Sequence, residues 1–255
     1  RRRGPLVITA MRRLAILVLL SIAACAPSPS PKSAAGLVPL GPCPQSSWKP
    51  EASPPTASAK TSMVLLAVGE WARFGRQVVT YSTTAPPRTE QLGVKERDAP
   101  ERIADYWRAV DKPGRSGLTD IPWSAAFISW DIASAGVPRS LFCPSQTHTI
   151  YVERMVTRAR QPGAIFIPHP PADRAPQVGD LICASRNASG AALDNLNRGA
   201  GHCDIVVEIR PREAHAIGGN VGDSVTRSVF PLDGDGFLSP ISARPVFTVI
   251  ENRLP

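Results

Sequence analysis

Three side chains in this sequence are of the types needed to attack a carbonyl group: the hydroxyl of Ser124, the imidazole of His202 and the amide of Asn220. Ser124 follows Pro122-Trp123 and leads into Ala125-Ala126-Phe127-Ile128, which reads as the opening of a helix. A nucleophile there sits in the positive field of the helix start, among backbone N–H groups that lack intrahelical partners. Such donors stabilise an oxyanion as it forms. His202 opens the run Cys203-Asp204-Ile205-Val206-Val207, so an imidazole stands at the head of a strand, where it can take a proton. Asn220 closes Ile217-Gly218-Gly219, and a polar group in that place can orient the imidazole and fix its tautomer. Asp204 shares a strand face with His202 and is the other contender for that role. Each residue also has a purely structural use. A hydroxyl at a helix start satisfies backbone donors, and a strand-end histidine can be satisfied within the fold. His148 points inward from the first turn of a later helix, where it either lines the same cleft or is buried as a structural histidine.

The elements that must position these groups follow from pattern. Helical periodicity covers Met63 to Gln77, Arg102 to Val110, the segment from Asp120 to Gly136, and Ser145 to Arg158. In the third of these, Asp120 is placed to cap, Pro122 suits the first turn, and Gly136 followed by Pro138 ends the helix. Ser124, Ile128, Asp131 and Ala135 form one of its rows, at the edge of a buried stripe. Thr83 to Pro100 reads as polar and turn-rich. After Pro162 the pattern changes to strands, at Ala164 to Ile167, Asp180 to Ala184, His202 to Ile209, Ala214 to Gly218 and Pro245 to Ile250. Helices first and strands later predict an α+β domain with an antiparallel sheet packed against N-terminal helices.

The order of three segments carries a resemblance. They are Pro122-Trp123-Ser124-Ala125-Ala126-Phe127-Ile128, then Gly179-Asp180-Leu181-Ile182 with Gly201-His202-Cys203-Asp204, then Ile217-Gly218-Gly219-Asn220. This order resembles the papain-like cell-wall peptidases of the NlpC and CHAP types. More narrowly it is similar to domain of unknown function 2272, over roughly Ser62 to Ile250. The resemblance implies a papain-like fold, a nucleophile at position 124, His202 as base, Asn220 as orienting group, and peptidoglycan as partner. Trp123, Trp130, Tyr151 and His148 are then expected to wall the cleft. The chain departs from the peptidases at the nucleophile, where Ser124 stands in place of cysteine. A thiol can be stored as thiolate beside imidazolium, but a serine must lose its proton during attack, with the histidine as a true general base.

The N-terminus places this chemistry in the cell. Arg12-Arg13, the apolar run Leu14 to Leu20 and Ile22-Ala23-Ala24-Cys25 have the three-part layout of a secretory signal. The run is shorter than the roughly 20 residues a permanent bilayer span needs. A cysteine after two small residues resembles the lipobox of bacterial lipoproteins, which implies diacylation of Cys25 and cleavage before it. Ala26, rather than Asp, resembles the sorting signal for the periplasmic face of the outer membrane. Residues 1–10 read as an upstream extension, 11–24 as the signal peptide, 25–60 as a Pro/Ser/Ala-rich tether and 61–255 as the domain. Within the tether, Cys43 and Trp48 are the residues suited to pack onto the domain.

The full chain carries 29 basic and 21 acidic residues, net +8. Arg1, Arg2, Arg3, Arg12 and Arg13 precede Cys25 and no acid does, so the remainder carries about +3. That is too mild for a dedicated nucleic-acid binder, and no basic stripe interleaves with aromatics. Cys43, Cys143, Cys183 and Cys203 remain once Cys25 is set aside, an even number for an oxidising compartment. Cys183 and Cys203 lie at facing ends of two predicted strands, which predicts a disulfide between them. Elimination then pairs Cys43 with Cys143. No Cys-x-x-Cys and no ligand spacing of histidines occurs, so neither metal nor cofactor is expected. Two readings of function result. One is a lipid-anchored envelope hydrolase that cleaves an amide bond in peptidoglycan peptides. The alternative is a non-catalytic envelope lipoprotein that binds peptidoglycan or a protein and has lost the nucleophile.

Overall fold

The computed structural model describes residues 40–50, 57–186, 191–196 and 200–255. The signal segment and Cys25 lie outside the described residues. The described residues form a mixed α+β domain of four α-helices and one eight-stranded sheet.

Helix α1 (Ala59–Arg73) starts where Ser58 accepts a hydrogen bond from the Thr61 backbone N–H, a conventional N-cap. Helix α2 (Pro100–Ala109) has proline at its start and buries Ile103, Ala104, Tyr106, Trp107 and Ala109. Helix α3 (Ser124–Ser134) begins later than the Asp120 cap predicted, with Trp123 at the N-cap and no side chain capping it. It is also not amphipathic: apart from Ala133, all its residues are buried, because it runs between α1 and α2 on one side and the sheet on the other. Gly136 takes φ +86° and ends it, as its place in the sequence predicts. Helix α4 is His148–Arg158.

The strands are β1 (Gln77–Thr80), β2 (Arg88–Gln91), β3 (Phe166–His169), β4 (Leu181–Ser185), β5 (Gly201–Arg210), β6 (Glu213–Val221), β7 (Ser224–Pro231) and β8 (Val246–Asn252). Their order is β2-β1-β7-β6-β5-β4-β8-β3. All neighbours are antiparallel except β1 and β7, so the sheet is not wholly antiparallel as expected. Period-two alternation divides the core between its faces. Leu181, Cys183, Cys203, Ile205 and Ile217 pack against the helices. Ile182, Val206, Ala216 and Phe230 pack under Leu232, Leu238 and Ile241 on the other face.

Both predicted disulfides are present. Cys183 and Cys203 are direct register partners on β4 and β5, with Cα atoms 4.1 Å apart. Cys43 and Cys143 are 5.6 Å apart at Cα. The second bond fastens residues 40–50 to the domain, where Trp48 packs on the core and Arg139 and Arg154 donate to the carbonyls of Pro44 and Gly41. This part of the predicted tether is therefore domain. Its proline-rich average hides one cystine and one tryptophan that fix it in place. Replacing Cys183 and Cys203 together by alanine is expected to lower stability by about 3 kcal/mol, the figure for a loop of this size. Urea unfolding without reductant checks it, and an unchanged midpoint would count against a stabilising role.

One buried carboxyl has no hydrogen-bond partner among the described residues. Asp131, on α3, is 0% exposed, and neither carboxylate oxygen has a hydrogen bond among the described residues. Burial, and then the nearby Glu70, push its pKa well above the ordinary carboxylate value.

Candidate active site

Ser124 is the first residue of α3, so the backbone N–H groups of the opening turn face outward without a side-chain cap. They open on a cleft of about 320 Å³ lined by Pro122, Ser124, Ala125, His148, Arg186 and Gly201 among others. The helix start is fixed from behind. Glu96, in a short 3-10 turn (Glu96–Asp98), accepts hydrogen bonds from Trp123 Nε1 at 2.6 Å and Asn220 Nδ2 at 3.1 Å.

The imidazole that touches Ser124 belongs to His148, not His202. Ser124 Oγ and His148 Nε2 are 2.7 Å apart. Arg186 Nη2 donates to Ser124 Oγ at 3.0 Å, so the serine proton is free to point at His148. The other nitrogen of His148, Nδ1, is bonded to the Tyr151 hydroxyl. A proton on Nδ1 leaves Nε2 as the acceptor, which is the tautomer this network requires.

His202 lies beside this pair, its ring centroid 5.4 Å from that of His148. Its Nε2 is 3.1 Å from Asp204 Oδ1, and its Nδ1 is 3.5 Å from Arg186 Nη2. Asp204 accepts a hydrogen bond from Nε2–H, which leaves the Nδ1 lone pair toward Arg186 Nη2. Asp204 is held in turn by Arg244, which also donates to the Tyr81 hydroxyl at 2.6 Å. Gly218 makes room for the pair: a Cβ there would lie 1.9 Å from Asp204 Oδ1 and 3.0 Å from His202 Nε2.

Asn220 does not reach His202. A register shift between Gly218 and Val221 bulges β6, and Asn220 adopts φ +60° with its amide on Glu96. The bulge re-aims the side chain, and the position beside His202 is taken by Asp204. The expected aromatic wall is absent too. Trp123 and Tyr151 are at most 1% exposed and Trp130 is 7% exposed. Trp123 and Trp130 pack with Tyr106, and Tyr151 packs with Phe142. Of the residues expected to line the cleft, His148 does so.

Burial sets the charge state of the site. It is the leading cause that drives His148 well below the ordinary histidine value, with His202, Arg186 and Arg244 adding repulsion. His202 is pushed down to about 4 by burial and by Arg244, against the pull of Asp204. Burial would raise Asp204, yet Arg244 and His202 outweigh it and hold the carboxylate ionised. Both imidazoles are therefore neutral at pH 7 and able to accept a proton. Arg186, Arg244, Tyr81 and Glu96 escaped the reading of the sequence. No motif or spacing marks them: Tyr81 and Arg186 follow the ends of β1 and β4, Arg244 precedes β8 and Glu96 lies in the 3-10 turn, so each reaches the site only through the tertiary fold.

Residues 95–250 match the model of a family described as an uncharacterized protein conserved in bacteria (DUF2272). No curated protein matches the chain. No solved structure matches it.

Proposed function

The chain belongs to the DUF2272 family, and from the site its domain carries we propose that it is a serine hydrolase of the cell envelope that cleaves an amide bond in peptidoglycan peptides. The observation that carries this reading is the Ser124 hydroxyl, 2.7 Å from a neutral imidazole, at an uncapped helix start inside a cleft. In the proposed reaction Ser124 Oγ attacks the carbonyl carbon while its proton passes to His148 Nε2. The oxyanion meets the N–H groups of the first turn of α3. The imidazolium returns the proton to the leaving amine, and water attacks the acyl-enzyme by the same route. His202, held by Asp204, offers a second neutral nitrogen on the other side of Arg186 and stands in the place the papain-like resemblance assigns to the base. A papain-like fold is supported by the order of nucleophile helix and then histidine strand, while the orienting carboxylate Asp204 on that same strand departs from the pattern.

The envelope location rests on the signal layout and Cys25, with lipid there holding the protein at the periplasmic face of the outer membrane. Two disulfides in the domain agree with an oxidising compartment. The test is digestion of purified peptidoglycan with mass analysis of the products. A second reading, a binding module, is favoured by one observation: Ser124 is only 2% exposed, with the Arg186 guanidinium against it. Peptidoglycan that is retained but never cut would establish that reading instead.

The pH profile gives a separate check. A base works only while unprotonated, and both imidazoles resist protonation. The acid limb of kcat/KM is therefore expected well below pH 6.5, with activity maintained at pH 5.5. A limb at the ordinary histidine value would mean that neither buried imidazole is the base.

A further inference from the structure

Among the described residues, two cations line the cleft and no carboxylate does. Arg115 and Arg186 line it, and none of the other lining residues is Asp or Glu. Neither arginine forms an ion pair with a carboxylate among the described residues, whereas Arg102, Arg139, Arg174 and Arg244 all do. Arg115 donates to Gln146 at 2.6 Å and lies over the Trp107 ring at 4.7 Å, so its guanidinium is held in place. Arg186 uses Nη2 alone, toward Ser124 and His202. Its Nε and Nη1 have no hydrogen bond among the described residues, which leaves charge-assisted donors available to an arriving carboxylate.

Resting on the hydrolase reading above, we propose that this cleft selects substrates bearing a free carboxylate next to the scissile amide, with Arg186 as the main recognition group and Arg115 as a supporting one. One guanidinium nitrogen holds the nucleophile while the rest of the same fork grips the substrate, so the carbonyl under attack is placed against Ser124 by the group that identifies it. The excess positive charge supports this. Burial and Arg244 lower the Arg186 pKa despite Asp204, and an arriving anion relieves that repulsion. The carboxylate can come from a chain terminus or from an acidic side chain, and both offer the same planar pair of oxygens.

The experiment uses the full chain and stem peptides of one sequence in three forms: free C-terminal carboxylate only, free side-chain carboxylate only, and both amidated. Binding is measured calorimetrically on Ser124→Ala, which removes turnover, and kcat/KM is measured on the wild type. At least one acidic form is expected to bind about tenfold or more tightly than the diamide, and which one identifies the source of the carboxylate. Arg186→Gln in the same background is expected to erase that preference, Arg186→Lys to keep part of it, and Arg115→Gln to weaken it less. Equal binding of all three forms, no binding of any, or a preference that survives Arg186→Gln overturns the inference. Hydrolysis without carboxylate preference overturns it too and leaves the Ser124 chemistry standing. Carboxylate-selective binding without hydrolysis does the reverse: it upholds the recognition and removes the hydrolase.

Discussion

Ser124→Ala is expected to lower kcat/KM on peptidoglycan peptides by about 10³-fold or more while the domain stays folded. The substitution removes the one oxygen that links the helix start to His148 and Arg186. Its structural cost is small, on the order of 1 kcal/mol, because one buried imidazole nitrogen loses its donor. Circular dichroism and the unfolding midpoint separate this from misfolding. Ser124→Cys is the sharper comparison. A thiol ionises far more readily than a hydroxyl, and the Arg186 guanidinium 3.0 Å from the oxygen position favours the thiolate. The variant should retain or gain activity and should react quickly with iodoacetamide. A cysteine at this position that stays inert to both peptidoglycan and alkylation would mean that the cleft is not poised for nucleophilic attack, and the binding reading would take over.

Asp131→Asn is expected to gain stability over the wild type as pH rises above the ordinary carboxylate value, by up to about 1.4 kcal/mol per pH unit until the folded carboxyl ionises. In the folded chain the carboxyl has no hydrogen-bond partner and no access to water, so the neutral acid is the form that fits. Unfolded, it titrates at the ordinary value of 3.8; folded, it titrates well above that. Between the two values the unfolded chain holds fewer protons than the folded one. Stability therefore falls as pH rises through this window, by about 1.4 kcal/mol per unit, and the loss stops once pH passes the folded value. The histidines act in the opposite sense. Their folded values lie below 6.5, so the stability they contribute is complete above that pH and is lost as pH falls toward about 4, the folded value of His202. The gap between wild type and Asp131→Asn isolates the carboxyl. Chemical denaturation at intervals from pH 4 to 7 should show the gap widening with pH until the folded carboxyl ionises. A constant gap, or a variant less stable at pH 7, would show that Asp131 is not carried as the neutral acid.

What the sequence disclosed was set by how local each signal was. Helix α2 announces itself through the apolar row Ile103, Tyr106, Trp107, although its start at Pro100 reads as part of the preceding turn-rich segment. Strand β5 announces itself through Ile205-Val206-Val207. Strand β7 does not, because Ser224, Thr226 and Ser228 are all fully buried, and buried hydroxyls read as surface in a one-dimensional pattern. Strand β2 is exposed throughout at the sheet edge and carries no apolar alternation at all. Gln77 opens β1 and spends its amide on Val221 and Thr226, more than a hundred residues away. The site divides in the same way. Ser124 at a helix start and His202 at a strand start were legible from their own neighbours, and Cys183 opposite Cys203 followed from a hairpin. The partner of each group was not. His148 rather than His202 meets the serine, because the start of α4 is brought against the start of α3 by the tertiary fold; Asp204 rather than Asn220 meets His202, because a one-residue bulge decides where a strand side chain points.

The cystine between Cys43 and Cys143 also sets a working radius. With lipid on Cys25 as proposed, the covalent path from the bilayer to the folded domain ends at Cys43 and not at the first turn of α1. A fully extended chain covers at most about 3.5 Å per residue, so the domain is leashed within about 60 Å of its anchor. Reducing this bond would let the leash run on toward α1 and roughly double that distance. A pull from such an anchor would enter the domain at Cys143, a few residues before His148, and so next to the cleft rather than at the far end of a helix.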